Sequence, residues 1–142
     1  MPIAQTSSDV AFSYPKISLL KNWIKAVINE ENLIPGDITI VFCSDEYLLS
    51  VNQRYLKHDF YTDIITFDYT ENNLISGDMF ISIERVRENA ASYSVDFFEE
   101  LDRVIIHGVL HLIGYSDNDE KNSEVMRGKE NHYLTMKLNK IV

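Results

Sequence analysis

Apolar residues recur along the chain with two different periods, and the periods divide it into elements. From Ile17 the spacing is helical: Leu20, Trp23, Ile24, Val27 and Ile28 fall at i, i+3, i+4, i+7 and i+8, one stripe of a helix. Pro35-Gly36 reads as the turn that closes this unit. Asp37 to Cys43 is rich in β-branched and aromatic residues and predicts a strand. Ser44 or Asp45 can cap the helix that follows, which carries Leu48, Leu49, Val51 and Tyr55. A loop over 57–62 leads to a strand over 63–69. Glu71-Asn72-Asn73 reads as a turn, and Ser76-Gly77 precedes a strand from Asp78 to Ile83. Three helices complete the pattern. The first runs from about Glu84 to Tyr93. The second starts at Asp96 with Phe97, Leu101, Val104, Ile105, Gly108 and Leu112 on its inner side. The third opens at Ser116 or Asp119 and reaches about Leu138. Residues 3–14 have weak periodicity, with a short strand at one end of the segment.

This order predicts an α/β (α+β) domain: one small mixed sheet of three to four strands, with helices packed on it. The 142 residues fit one domain, 1–142, long enough to bury a core without staples. The single cysteine, Cys43, excludes an internal disulfide and any multi-cysteine metal site, and its place in a strand reads as core. The segment Met1–Val10 has neither a basic region nor an apolar core, so a secretory signal is not expected, and no apolar run is long enough to span a bilayer. A cytoplasmic protein with no membrane partner is the expectation. The net charge is −9, from 22 acidic against 13 basic residues, which opposes nucleic-acid binding through the overall field. The bases cluster locally at Arg54, Lys57 and His58, and again at Arg127, Lys129, His132 and Lys137.

Chemistry concentrates at the end of the second of these helices. His107 and His111 stand four residues apart in an otherwise apolar run, so both imidazoles leave one helix face a turn apart. Unpaired imidazoles on such a face would be costly. Gly114 then ends the helix, and a tight acidic patch follows with Asp117, Asp119 and Glu120. The chain can fold back so that Asp117 reaches the histidines; Asp119 is the rival carboxylate. Two histidines and one carboxylate with a fourth position open are the donor set of a catalytic zinc site on a central helix. Gly108 follows His107 where a metalloprotease H-E-x-x-H helix has glutamate, so that class's built-in base is missing. A zinc-bound water can still serve as nucleophile.

Three ordered blocks carry a family resemblance. His107-Gly108-x-Leu110-His111-Leu112-x-Gly114-Tyr115 with a ligand at 117 resembles the YbeY pattern H-G-x-L-H-L-x-G-Y-D-H. Asn52-x-x-Tyr55 with Asp59-x-x-Thr62-Asp63-Ile64-Ile65-Thr66-Phe67, and Ser76-Gly77-Asp78-Met79-x-Ile81-Ser82, resemble two further blocks, and Met126-x-x-x-Glu130 matches the tail. The resemblance implies a zinc-dependent, single-strand-specific endoribonuclease with one Zn2+ on His107, His111 and Asp117. It implies work in 16S rRNA 3′-end maturation and ribosome quality control, with single-stranded RNA and small-ribosomal-subunit components as partners. The general acid and base are not assigned by it.

Two positions depart from the pattern. Asp117 stands where the family has histidine, after Ser116 in place of aspartate. Its added negative charge should raise the pKa of a bound water. Leu56 stands where the family has an arginine that engages the RNA backbone, and Arg54, Lys57 or His58 could take over that charge. Lys57 and His58 are the candidate substrate-binding residues. A peptidase or amidase, or a non-catalytic ribosome-associated metal protein, are the competing readings.

Overall fold

The computed structural model describes residues 3–138. Four strands form one mixed sheet in the order β1-β2-β4-β3. They are β1 (Ile3–Ser7), β2 (Ile34–Cys43), β3 (Ile64–Asp68) and β4 (Leu74–Ser82). β1, β2 and β4 run parallel, and β3 closes the edge antiparallel to β4. The helices are α1 (Ile17–Glu30), α2 (Asp45–Val51), α3 (Ile83–Tyr93), α4 (Phe97–Ile113) and α5 (Glu120–Met136). A π-helical turn, Asn52–Leu56, extends α2.

The period-two pattern of the strands divides their side chains between two cores. Ile38, Ile40 and Phe42 of β2, with Ile75, Met79 and Ile81 of β4, face the larger one. It is filled by the α1 stripe, in which Leu20, Trp23, Ile24, Val27 and Ile28 are fully buried, and by α4. The alternating partners Cys43, Ile65, Phe67 and Phe80 meet Leu48 and Val51 of α2 on the other face. Cys43 is a core residue, as expected, and burial, followed by the charges of Asp9 and Asp45, pushes its thiol up to about 12.

One expected turn, and two residues expected to precede a strand, proved to be strand. Pro35-Gly36 lies inside β2, where the register with β4 shifts between Pro35 and Ile38. Such an irregularity accommodates a residue without an N–H. The chain reverses earlier, at Glu31 and Asn32, with Asn32 in the left-handed region. Ser76-Gly77 likewise lies within β4, which begins at Leu74.

α4 is the central helix and packs against β3, β4, α1, α3 and α5. Asp96 caps it through the Phe98 N–H, and Gly114, at φ 123°, ends it. Two glycines let it lie close to the sheet. A Cβ on Gly108 would come within 2.7 Å of Ile64 Cδ1 and Met79 Sδ. A Cβ on Gly77 would come within 2.4 Å of the Phe67 carbonyl and 2.7 Å of Leu112 Cδ2. The close fit brings the histidine face of α4 to the end of β3 that Asp63 opens.

Candidate metal centre

The four-residue spacing on α4 places His107 Nε2 and His111 Nε2 2.9 Å apart. Past Gly114 the chain folds back, and Asp117 Oδ2 lies 3.3 Å from His107 Nε2 and 3.7 Å from His111 Nε2. Zinc bonds of about 2.0–2.1 Å directed tetrahedrally separate ligand atoms by about 3.3 Å. The three observed separations bracket that value, so the donor set fits a small divalent ion. Asp119, the rival carboxylate, is occupied elsewhere: it caps α5 by accepting from the Asn122 N–H at 2.8 Å.

Both rings are oriented from behind. His107 Nδ1–H donates to Glu130 Oε2 at 2.7 Å, and His111 Nδ1–H donates to the Tyr115 carbonyl at 3.0 Å. A proton held on each Nδ1 leaves the Nε2 lone pairs aimed at the shared point with Asp117. Glu130 is itself held by Arg103, whose Nη1 donates to Oε1 at 2.8 Å. The carboxyl group is buried on α5 yet stays below its usual range: burial alone would raise it, and the His107 and Arg103 hydrogen bonds outweigh that. Burial likewise works against a charged His107, but Glu130, Asp117 and Asp63 together hold its pKa above the ordinary value. His111 is depressed, first by burial and then by the charge of His107.

Two clefts meet at this point, and His107, Asp63, Ile64 and Asp117 line both. The first, of about 640 Å³, sets Asp63, Glu99, Glu100 and Glu130 against Arg103 and Arg127. Burial raises both Asp63 and Glu100. The second, of about 360 Å³, is walled by Asn52, Leu56, His58, Phe60, His107 and His111. Of the candidate substrate-binding residues, His58 lines this cleft. Lys57 is exposed at the loop tip, in the left-handed conformation, and does not line it. Leu56 is there with its side chain partly exposed, and Arg54 lies over the Tyr55 ring at 5.9 Å. The later basic cluster is largely spent on ion pairs: Lys129 with Glu31, His132 with Glu30, Lys137 with Asp102. Arg127 of that group lines the first cleft and lies 3.6 Å from Glu130 Oε1.

Arg103 and the Tyr115 carbonyl were absent from the sequence-based site. Arg103 had a readable signal, because it precedes His107 by the same four residues that separate the histidines. The Tyr115 carbonyl had none, since main-chain direction past a helix end follows from the tertiary fold.

Comparison with known proteins agrees with this fold. The family model described as "Endoribonuclease YbeY" matches residues 3–137. A protein of that name from Parabacteroides distasonis is 49% identical over 136 residues, 96% of each chain. Another from Christiangramia forsetii is 51% identical over 116 residues, 82% of this chain and 81% of that one. A Thermotoga maritima protein with a solution structure shares the fold at a TM-score of 0.66 and 26% identity, covering 96% of this chain and 89% of that one. Motif blocks and fold thus coincide with one family of RNA-cleaving hydrolases: the chain belongs to the YbeY endoribonuclease family.

Proposed function

We propose that this YbeY-family hydrolase is zinc-dependent and single-strand-specific, and that it acts in 16S rRNA 3′-end maturation and ribosome quality control. It works in the cytoplasm, as one domain, with small-ribosomal-subunit components beside it. The observation that carries the metal assignment is the triangle of His107 Nε2, His111 Nε2 and Asp117 Oδ2, whose separations suit one tetrahedral ion. When bound there, a divalent ion supplies Lewis acidity toward a phosphodiester and lowers the pKa of water.

The residues of the chain do the rest. Glu130 and the Tyr115 carbonyl hold both imidazoles in the tautomer that presents Nε2. Arg103 keeps Glu130 ionised, so that hydrogen bond remains charge-assisted. Asp117 supplies the third donor from a segment that is 44% exposed at its side chain, leaving an approach from solvent. Asp63 sits where the clefts join, and its burial makes it hold a proton more readily than an exposed aspartate. Among the described residues, no helix is long and apolar enough to cross a membrane.

The test is metal content of the purified protein beside His111→Ala and Asp117→Ala, followed by cleavage of a single-stranded RNA with EDTA and His107→Ala as controls. One zinc per chain, lost in both variants, and RNA cleavage abolished by EDTA and by His107→Ala are expected. A wild type without stoichiometric metal at physiological zinc, or equal cleavage by wild type and His107→Ala, would overturn the reading. Absence of small-subunit components among its ribosomal co-purifying partners would remove the maturation role alone.

A further inference from the structure

The two clefts beside the donor triangle differ in what they can hold. The first is dominated by carboxylates, which repel a phosphodiester chain. The second presents rings. Leu56, His58 and Phe60 line it, and Phe60 is 55% exposed. Leu56 and Phe60 are exposed large apolar side chains on the wall of a cleft, and such a patch marks a binding surface. His58 and Phe60 lie nearly parallel, with ring centroids 5.1 Å apart and planes 21° apart, and both line the cleft that also contains His107, His111 and Asp117.

The rings are exposed, but their backbone is pinned. The buried Asn52 amide donates to the Phe60 carbonyl at 2.9 Å. The Asn52 carbonyl accepts from the N–H groups of Lys57 and His58. Gln53 Nε2 donates to Asp59 at 2.6 Å. Lys57 takes the left-handed conformation that this reversal requires. One buried asparagine thus holds both ends of the 57–60 loop, and the His58–Phe60 stack stands on a pre-formed support. Pre-formed surfaces lose little entropy on binding.

We propose that the His58–Phe60 stack is a nucleobase platform that seats a base of single-stranded RNA next to the metal centre. The proposal rests on the endoribonuclease reading above. Charge favours this occupant: the flanking cations are Arg54 and Lys57, and the partner of a phosphate-rich strand in a −9 protein must gain affinity from stacking rather than from the general field. Stacking also accounts for strand preference, because a paired base has no face free for Phe60. Where the family has an arginine, Leu56 adds apolar contact at the same wall. The loop therefore recognises bases more than backbone.

The experiment is steady-state cleavage of a short single-stranded RNA by the zinc-loaded protein, comparing wild type, Phe60→Leu, Phe60→Tyr and His58→Ala. Each is also run on the same RNA carrying one abasic position, scanned across the sequence. Phe60→Leu should raise KM about tenfold with kcat within about twofold, and His58→Ala should raise KM severalfold, in line with the loss of base–aromatic stacking. Phe60→Tyr should behave as wild type. One abasic position should raise the wild-type KM by a similar factor and add nothing in Phe60→Leu, since both changes remove the same contact. Unchanged KM in Phe60→Leu, or losses that multiply at every abasic position, would overturn the platform while leaving the nuclease intact. Failure of the zinc-loaded wild type to cleave any single-stranded RNA would instead sink the endoribonuclease reading, and the platform with it. Equal melting temperatures of wild type and Phe60→Leu are expected, because the ring is exposed.

Discussion

At the scale of single residues, the site depends on hydrogen bonds that never touch the donor point. Glu130 is the clearest case: it accepts from His107 Nδ1–H with one oxygen and from Arg103 with the other. Glu130→Gln keeps the shape, removes the charge and confuses the tautomer, because an amide can donate as well as accept. Loss of such a partner typically weakens metal affinity by about 10- to 100-fold. Zinc affinity measured by competition with a chelator should fall in that range for Glu130→Gln, with the far-ultraviolet circular dichroism unchanged. An affinity equal to wild type would mean that packing alone orients His107. Asp117 is held at its main chain, where its carbonyl accepts from the Ser123 hydroxyl at 3.1 Å, and it is the most exposed of the three donors.

At the scale of elements, the position of α4 on the sheet decides whether the donors meet the clefts at all. The two glycines at that contact differ. A side chain on Gly77 meets the rigid Phe67 carbonyl, whereas one on Gly108 meets the ends of Ile64 and Met79, which can turn aside. Overpacking of a core typically costs about 1–3 kcal/mol. Replacing a helical glycine by alanine returns about 1 kcal/mol of propensity. Gly77→Ala should therefore destabilise by about 2–3 kcal/mol in urea unfolding, and Gly108→Ala by distinctly less. The reverse order would refute the backbone-contact account.

A second joint is made by Glu31, just past α1. It accepts from Tyr115 at 2.7 Å, from Lys129 at 3.0 Å and from the Tyr133 hydroxyl. Burial raises this carboxyl, and the three hydrogen bonds outweigh it and hold the pKa below the ordinary 4.5. A depressed folded pKa contributes stability above the unfolded value, and that stability fades as pH falls through the folded pKa. Glu31→Gln should thus lower the melting temperature at pH 7 and differ from wild type less and less below about pH 4. A difference that stays constant down to the acid limit would exclude ionic linkage.

At the scale of the whole molecule, charge and local surface pull in opposite directions. The −9 net charge repels RNA, yet Arg103 and Arg127 line the first cleft, both within ion-pair distance of Glu130, and Arg54 and Lys57 stand where the chain enters the 57–60 loop. Four phosphate contacts at most give a slope of log affinity against log salt of about −3 for a single strand. Binding measured by anisotropy between low and moderate salt should show a slope no steeper than this. A much steeper slope would require a basic surface beyond these residues. The same charge balance favours an RNA already presented by an assembly over one captured by long-range attraction.

Much of the frame could be read from the chain alone, because it rests on local periodicity. The α1 stripe, the spacing of His107 and His111, the helix start at Asp96 and the stop at Gly114 are each set by residues within a turn or two of one another, and each appears in the structure as expected. Strand limits were less legible. Pro35-Gly36 carries turn chemistry and Ser76-Gly77 was expected to precede its strand, but pairing between β2 and β4 absorbs both, and pairing is a long-range property. The site divides along the same line. Two histidines one turn apart follow from helix geometry. That Asp117 rather than Asp119 comes within reach, that Glu130 and Arg103 stand behind His107, and that Asn52 fixes a pair of rings beside them all depend on how α4, α5 and the 52–60 segment pack. Local spacing can put two donors on one face, but only the packed fold brings a third from another segment and builds the walls of the clefts around them.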